Sequence, residues 1–208
     1  RSTPKPSSAA SDVYKRQILV AGYMAWNIGA NDVANAMGTS VGSGALTFRN
    51  AIIAAAVFEF LGAFFAGDAV TDTVRKGILN FEEADLAVYS TVLKYGFIAA
   101  MFAAALWLTT ATKYGLPVST THSIVGGILG IGLYVAPEHV DWAVVTKIVM
   151  SWVASPLLGG ILAFTTFNVV KKVIMDVEIP VVRSRIMAPI LALPTFFVLG
   201  LSLQYKAM

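Results

Sequence analysis

Apolar positions fall in long blocks at 18–36, 51–71, 87–110, 124–135, 147–173 and 188–203, separated by short polar, glycine-rich or proline-containing segments. A helix needs about 20 apolar residues to cross the roughly 30 Å hydrocarbon core of a bilayer, so blocks of this kind predict helices with lipid as solvent. The fourth block is too short for a full crossing. Gly115, Leu116, Pro117 and a run of hydroxyls precede it, which predicts a broken or re-entrant helix. Lipid tolerates such a break only where protein or a cavity shields the free backbone, and transporters place breaks of this kind at substrate sites. The predicted fold class is therefore all-α, a polytopic transmembrane helical bundle spanning 18–208. Residues 1–17 (RSTPKPSSAASDVYKRQ) are polar and rich in Ser, Pro and basic side chains. They offer too little apolar surface to offset the entropy of ordering and are expected to form a disordered or non-native leader outside the fold.

Composition sharpens the membrane assignment. Hydrophobic residues make up 57% of the chain and charged residues 13%, about half the charge of an ordinary soluble domain, which is too little to cover a water-facing surface. The net charge of +3 is modest, and the basic residues form no stripe with interleaved aromatics, so a nucleic-acid partner is excluded. Lys171, Lys172, Arg183 and Arg185 cluster after the fifth block, which by the basic-loop rule places that connection in the cytoplasm. Asp68, Asp72, Arg75, Lys76, Glu82, Glu83 and Asp85 read as a solvated connection with ordinary charge pairs. Cysteine is absent, and no HExxH, GxSxG or Walker loop occurs, so neither a thiolate chemistry nor a hydrolytic enzyme is expected and any ATP drive needs another subunit.

Against this apolar background two clusters carry chemistry. The first is GANDVANAMGTSVGSGALT at 29–47. At 3.6 residues per turn Asn27, Asn31 and Asn35 form a row at i, i+4, with Asp32 beside it and near the Asn35 position. A buried carboxylate requires a cation, a proton or a basic partner, and ionisable groups at membrane depth point to function. The competing role for the carboxamides is hydrogen bonding between helices. The second cluster is GLPVSTTHSIVG at 115–126. Pro117 disfavours helical geometry at Leu116, and Ser119, Thr120 or Thr121 can cap a helix starting there. Free N–H groups at a helix start attract anions, and three adjacent hydroxyls supply donors without charge, suiting an anion that must also be released. An ordinary capped turn is the alternative. His122 could donate to an oxyanion or titrate near neutrality, or serve only as a packing donor. Glu59, inside FEFLGAFFAGD, is protonated, paired or facing an ion path. Small residues at 38–45 and 126–132 allow close helix approach.

The two clusters, together with FRNAIIAAAVFEFLGAFFAGDAVTDTVRKGIL and KIVMSWVASPLLGGILAFTTFNVV, resemble the ordered signatures of the inorganic phosphate transporter (PiT) family over nearly the whole chain after Gln17. The resemblance implies a secondary transporter of two inverted repeats, each with one GANDVANA-like helix and one STTH-like broken element, meeting at a central phosphate and sodium site. Each signature stands here once, so the chain is expected to be an N-terminal half. By motif position, Asn31, Asp32 and Glu59 resemble ion-binding or coupling residues, with Asp32 and Asn31 the sodium ligands, and Asn35, Ser119, Thr120 and Thr121 resemble phosphate-binding residues.

A carboxylate beside an anion is an electrostatic problem, because unit charges 4 Å apart repel by about 4 kcal/mol at an effective dielectric of 20. A cation between them turns repulsion into attraction, so coupling follows from charge balance. Sodium symport is the expected mode, with a proton, sulfate or a metal–phosphate complex as alternatives, and a non-transporting receptor or scaffold as the rival from another class. The expected partners are inorganic phosphate, sodium or a proton as co-transported ligand in place of any cofactor, the lipid bilayer, a C-terminal repeat and a second copy of the chain as a homodimer. The expected location is the plasma membrane.

Overall fold

The computed structural model describes residues 8–207, side chains excepted at 8–10, 66, 68–76, 83, 84, 86, 87 and 202–207. Six α-helices follow one another among these residues: α1 (Ser8–Gly42), α2 (Phe48–Gly77), α3 (Glu83–Lys113), α4 (Thr120–Val135), α5 (Trp142–Val170) and α6 (Pro180–Ala207). Every apolar block thus becomes a helix. Phe48–Phe65, Val88–Lys113, Trp142–Met175 and Pro180–Leu201 are long and apolar enough to cross a membrane. The two that miss this criterion carry the two sequence clusters. Asn and Asp side chains interrupt the apolar content of α1, and α4, at 16 residues, reaches only about 24 Å at 1.5 Å per residue.

Where α1 begins, the structure departs from the sequence expectation. Residues 1–7 of the expected leader lie outside the described residues, but 8–17 are helical and continuous with the apolar run. No proline lies between Pro6 and the end of α1, Ala9 and Ala10 favour helix, and Lys15 lies 3.8 Å from Asp12 one turn earlier.

The described residues up to Asp141 form one compact unit and those from Trp142 onward a second. In the first, α1 packs on α3, α3 on α4, and α2 on α1. The core joins Met24 of α1 to Ala104, Ala105 and Leu108 of α3, with Val118 and Ile124 packed against it. Small residues let α3 and α4 approach closely. A Cβ on Gly127 would lie 3.0–3.2 Å from the Cβ, carbonyl oxygen and Cα of Ala100, and one on Gly96 would lie 2.6 Å from Ile131 Cγ2. By contrast, the space around Gly38, Gly42 and Gly44 is open within this chain.

The far end of α4 is pinned by two loops. Asn80 N–H donates to the His139 carbonyl at 2.8 Å, and Asp141 N–H to that of Ile78 at 3.0 Å. Between these bonds Leu79 pairs with Val140. A Cβ on Gly132 would come within 2.3 Å of Leu79 Cδ2, so any larger residue there would force the Leu79 side chain to move. The His139 ring stacks on Phe81 with centroids 4.6 Å apart, and its Nε2 lies 3.0 Å from Asp85 Oδ2. Asp85 keeps part of the solvent exposure expected of that connection, at 39%, and pairs with the more deeply buried imidazole. Of that same acidic and basic group, the side chains of Asp68, Asp72, Arg75, Lys76 and Glu83 lie outside those described.

In the second unit α5 runs into a π-helical turn, Lys171–Met175, before α6. Arg183 Nε donates to the Val173 carbonyl at 3.4 Å across that connection. Leu157, Leu158, Ile161, Leu162 and Phe164 of α5 are exposed, an apolar surface suited to lipid or to other membrane helices.

Candidate functional site

The site grows from the break between α3 and α4. Helix α3 ends in a paired cap: Leu116 N–H donates to the Ala111 carbonyl at 2.9 Å and Gly115 N–H to that of Thr112 at 3.0 Å, with Gly115 in the left-handed region at φ 67°. Glycine is the residue that adopts this conformation without a Cβ clash. Pro117 then supplies no N–H and holds the chain extended. Helix α4 restarts with Ser119 as its N-cap, whose Oγ accepts from His122 N–H at 3.3 Å while its carbonyl accepts from Ser123 N–H at 3.1 Å. Among the described residues the N–H groups of Thr120 and Thr121 have no protein acceptor, as the orphan donors of a helix start commonly do not.

Helix α1 passes alongside this break. Asp32, half-buried, accepts a hydrogen bond from Thr120 Oγ1 on Oδ2 at 2.7 Å, which puts a carboxylate at the first residue of α4. A negative charge is favoured there by the helix dipole and the open N–H groups. Asn31, 6% exposed, uses its carboxamide on the break itself. Nδ2 donates to Thr112 Oγ1 at 3.0 Å and to the Leu116 carbonyl at 3.1 Å, and Oδ1 accepts from Val118 N–H at 3.1 Å.

One turn earlier Asn27, 2% exposed, accepts from Thr109 Oγ1 on Oδ1 at 2.7 Å and donates to the Tyr23 carbonyl at 2.9 Å. The Tyr23 hydroxyl bonds Thr109 Oγ1 in turn. Two members of the asparagine row therefore face threonines spaced by three on α3. Asn35, the third, is exposed, because α3 ends at Lys113 and leaves nothing opposite the next turn of α1.

The structure thus brings together Asn31, Asp32, Ser119 and Thr120. Thr121 and His122 are exposed at the start of α4. Glu59 is exposed on α2 between Phe58 and Phe60 and makes no hydrogen bond or ion pair among the described residues. Sequence reasoning missed Thr109 and Thr112. A threonine pair at i, i+3 on an apolar helix was the available signal, but its meaning depends on which helix lies opposite.

Known proteins resemble this chain over most of its length. The profile of the phosphate transporter family matches residues 28–207. A protein of Thermococcus kodakarensis provisionally named a phosphate permease is 47% identical over 192 residues, covering 92% of this chain and 47% of the relative. The chloroplastic inorganic phosphate transporter 2-1 of Arabidopsis thaliana is 46% identical over 172 residues, covering 81% of this chain and 28% of the relative. Among solved structures, one described as a sodium-dependent phosphate transporter superposes with a TM-score of 0.74 at 42% identity, covering 83% of this chain and 42% of that one. The chain spans about half the length of the first of these relatives and less of the second.

Proposed function

Because this integral membrane protein belongs to the phosphate transporter family, we propose that it forms the N-terminal half of a permease that carries inorganic phosphate together with sodium. The observation that carries the proposal is the Thr120–Asp32 hydrogen bond. It sets a carboxylate at the same helix start whose open N–H groups and hydroxyls suit an oxyanion. Phosphate bound at Ser119, Thr120 and Thr121 then meets a negative charge, and a repulsion of about 4 kcal/mol per charge pair at an effective dielectric of 20 opposes it. Sodium held by Asp32 removes that opposition, so the anion binds well only with its cation.

In this proposal Asn35 faces the substrate from the exposed side of α1, and Glu59 serves coupling once a second repeat covers α2. His122 is a further donor to the oxyanion. A second copy of the chain and the plasma membrane complete the setting. The structural neighbour's description as sodium-dependent supports sodium over a proton.

Isotope uptake into proteoliposomes, with this segment joined to its second half, tests the proposal. Phosphate uptake is expected to rise steeply with external sodium and to be lost in Asp32→Asn, which keeps shape and removes charge. Equal uptake in choline and sodium under a pH gradient would transfer the coupling to protons. Inhibition by sulfate as strong as by unlabelled phosphate would broaden the substrate, and undiminished sodium-dependent uptake in Asp32→Asn would leave Asp32 a mere link between helices.

A further inference from the structure

Asn31 is the residue whose geometry goes beyond its expected role. The resemblance makes it an ion ligand, yet both hydrogens of its Nδ2 and one lone pair of Oδ1 are spent on residues 112–118. The two backbone groups it takes, the Leu116 carbonyl and the Val118 N–H, flank Pro117. They are the groups left over after the α3 cap has used the N–H groups of Gly115 and Leu116 and before α4 has begun. A carboxamide has one donor and one acceptor side by side, as a peptide unit does, so Asn31 pairs with this extended segment as a neighbouring strand would.

We propose that Asn31 is a positioning residue: its side chain acts as a surrogate strand that fixes the proline-containing break, and through it holds the first turn of α4 and Thr120 against Asp32. Three features make this specific to asparagine. Aspartate keeps the acceptor and loses both donors. Glutamine adds a methylene to a group already buried against the turn. Leucine leaves the Leu116 carbonyl and the part-buried Val118 N–H without their side-chain partner. Thr112 is the second point of the anchor, tying the same carboxamide to the last turn of α3. The effect of Asn31 on phosphate is therefore transmitted by the backbone of 116–118 and does not require Asn31 to touch the ion. The transport consequence rests on the phosphate-permease function proposed above, whereas the bridging itself does not.

Amide exchange on the chain in lipid nanodiscs reads the bridge directly. In the unsubstituted chain the Asn31 side-chain hydrogens and the Val118 N–H are expected to exchange at least about tenfold more slowly than the side-chain hydrogens of exposed Asn35, as buried bonded groups do. In Asn31→Ala the Val118 N–H is expected to speed up about tenfold while amides in the middle of α1 and α3 keep their rates. If Asn31→Ala does not fold, the comparison of Asn31 with Asn35 in the unsubstituted chain still decides. In the full-length permease Asn31→Ala should raise the KM for phosphate about tenfold and leave half-saturation by sodium within about twofold, since the donors to the anion lose their place while the Asp32 charge stays. Equal exchange of the Asn31 and Asn35 side chains, an unchanged Val118 rate in Asn31→Ala, or a tenfold sodium shift with phosphate KM unchanged would each overturn the positioning role. Absence of phosphate uptake by the unsubstituted permease would sink the proposed function and leave the exchange result to judge the bridge.

Discussion

At the scale of single residues, the site depends on how each polar group divides its bonds between protein and ligand. Asn27 and Asn31 are buried and bonded, while the hydroxyls and N–H groups at the start of α4 keep capacity to spare. Thr120 stands between these cases, since its hydroxyl proton goes to Asp32 and its oxygen can still accept. Thr120→Ser preserves that bond and should keep uptake within about threefold of the unsubstituted permease. Thr120→Val keeps the volume and removes a hydrogen bond to a charged group, worth about 1.5–3 kcal/mol, so the proposed function predicts a loss of about tenfold or more in kcat/KM for phosphate. Uptake assays on both variants, normalised to folded protein, distinguish the outcomes, and equal activity would remove the Thr120–Asp32 bond from the site. The asparagine row was legible from spacing alone. Which of its members faces a partner was not, because that depends on where α3 ends.

At the scale of elements, α4 is the helix on which the arrangement turns. Its first residue meets Asp32, its middle lies on Ala100 through Gly127, and its last turn receives Leu79 at Gly132. Neighbouring glycines of one motif therefore have opposite expected responses to alanine. Gly127→Ala puts a methyl 3.0–3.2 Å from Ala100, backbone included, and should cost about 1–3 kcal/mol of overpacking. Gly126→Ala enters open space and should be neutral or stabilising by up to about 1 kcal/mol through helix propensity. Thermal unfolding in detergent should show a lower Tm for the first variant only, and matching Tm values would mean that the α3–α4 contact yields freely. The sequence identified these glycines as packing residues without separating the two, since adjacent positions on a helix point about 100° apart.

At the scale of the molecule, the apolar outer surface dictates where the chain can exist. Large side chains such as Phe58, Phe60, Phe64, Leu157, Leu162 and Phe164 stand exposed in helices long enough to span a bilayer. Expressed in cells, the 208-residue chain should stay with membranes through alkaline carbonate extraction, with more than about nine-tenths in the pellet, as expected for spanning helices of this length. Release into the supernatant would contradict the membrane assignment. The six helices among the described residues, the short fourth block and both chemical clusters followed from sequence alone. Hydropathy over about 20 residues, and polar groups placed at an energetic cost within it, are local properties of a chain in lipid. The tertiary structure alone decided that Asn31 closes the turn at Pro117, that Asp32 meets Thr120 from 88 positions away, and that Asp85 meets His139 across two loops. Such contacts depend on helix ends and crossing geometry, and composition and periodicity leave both undetermined.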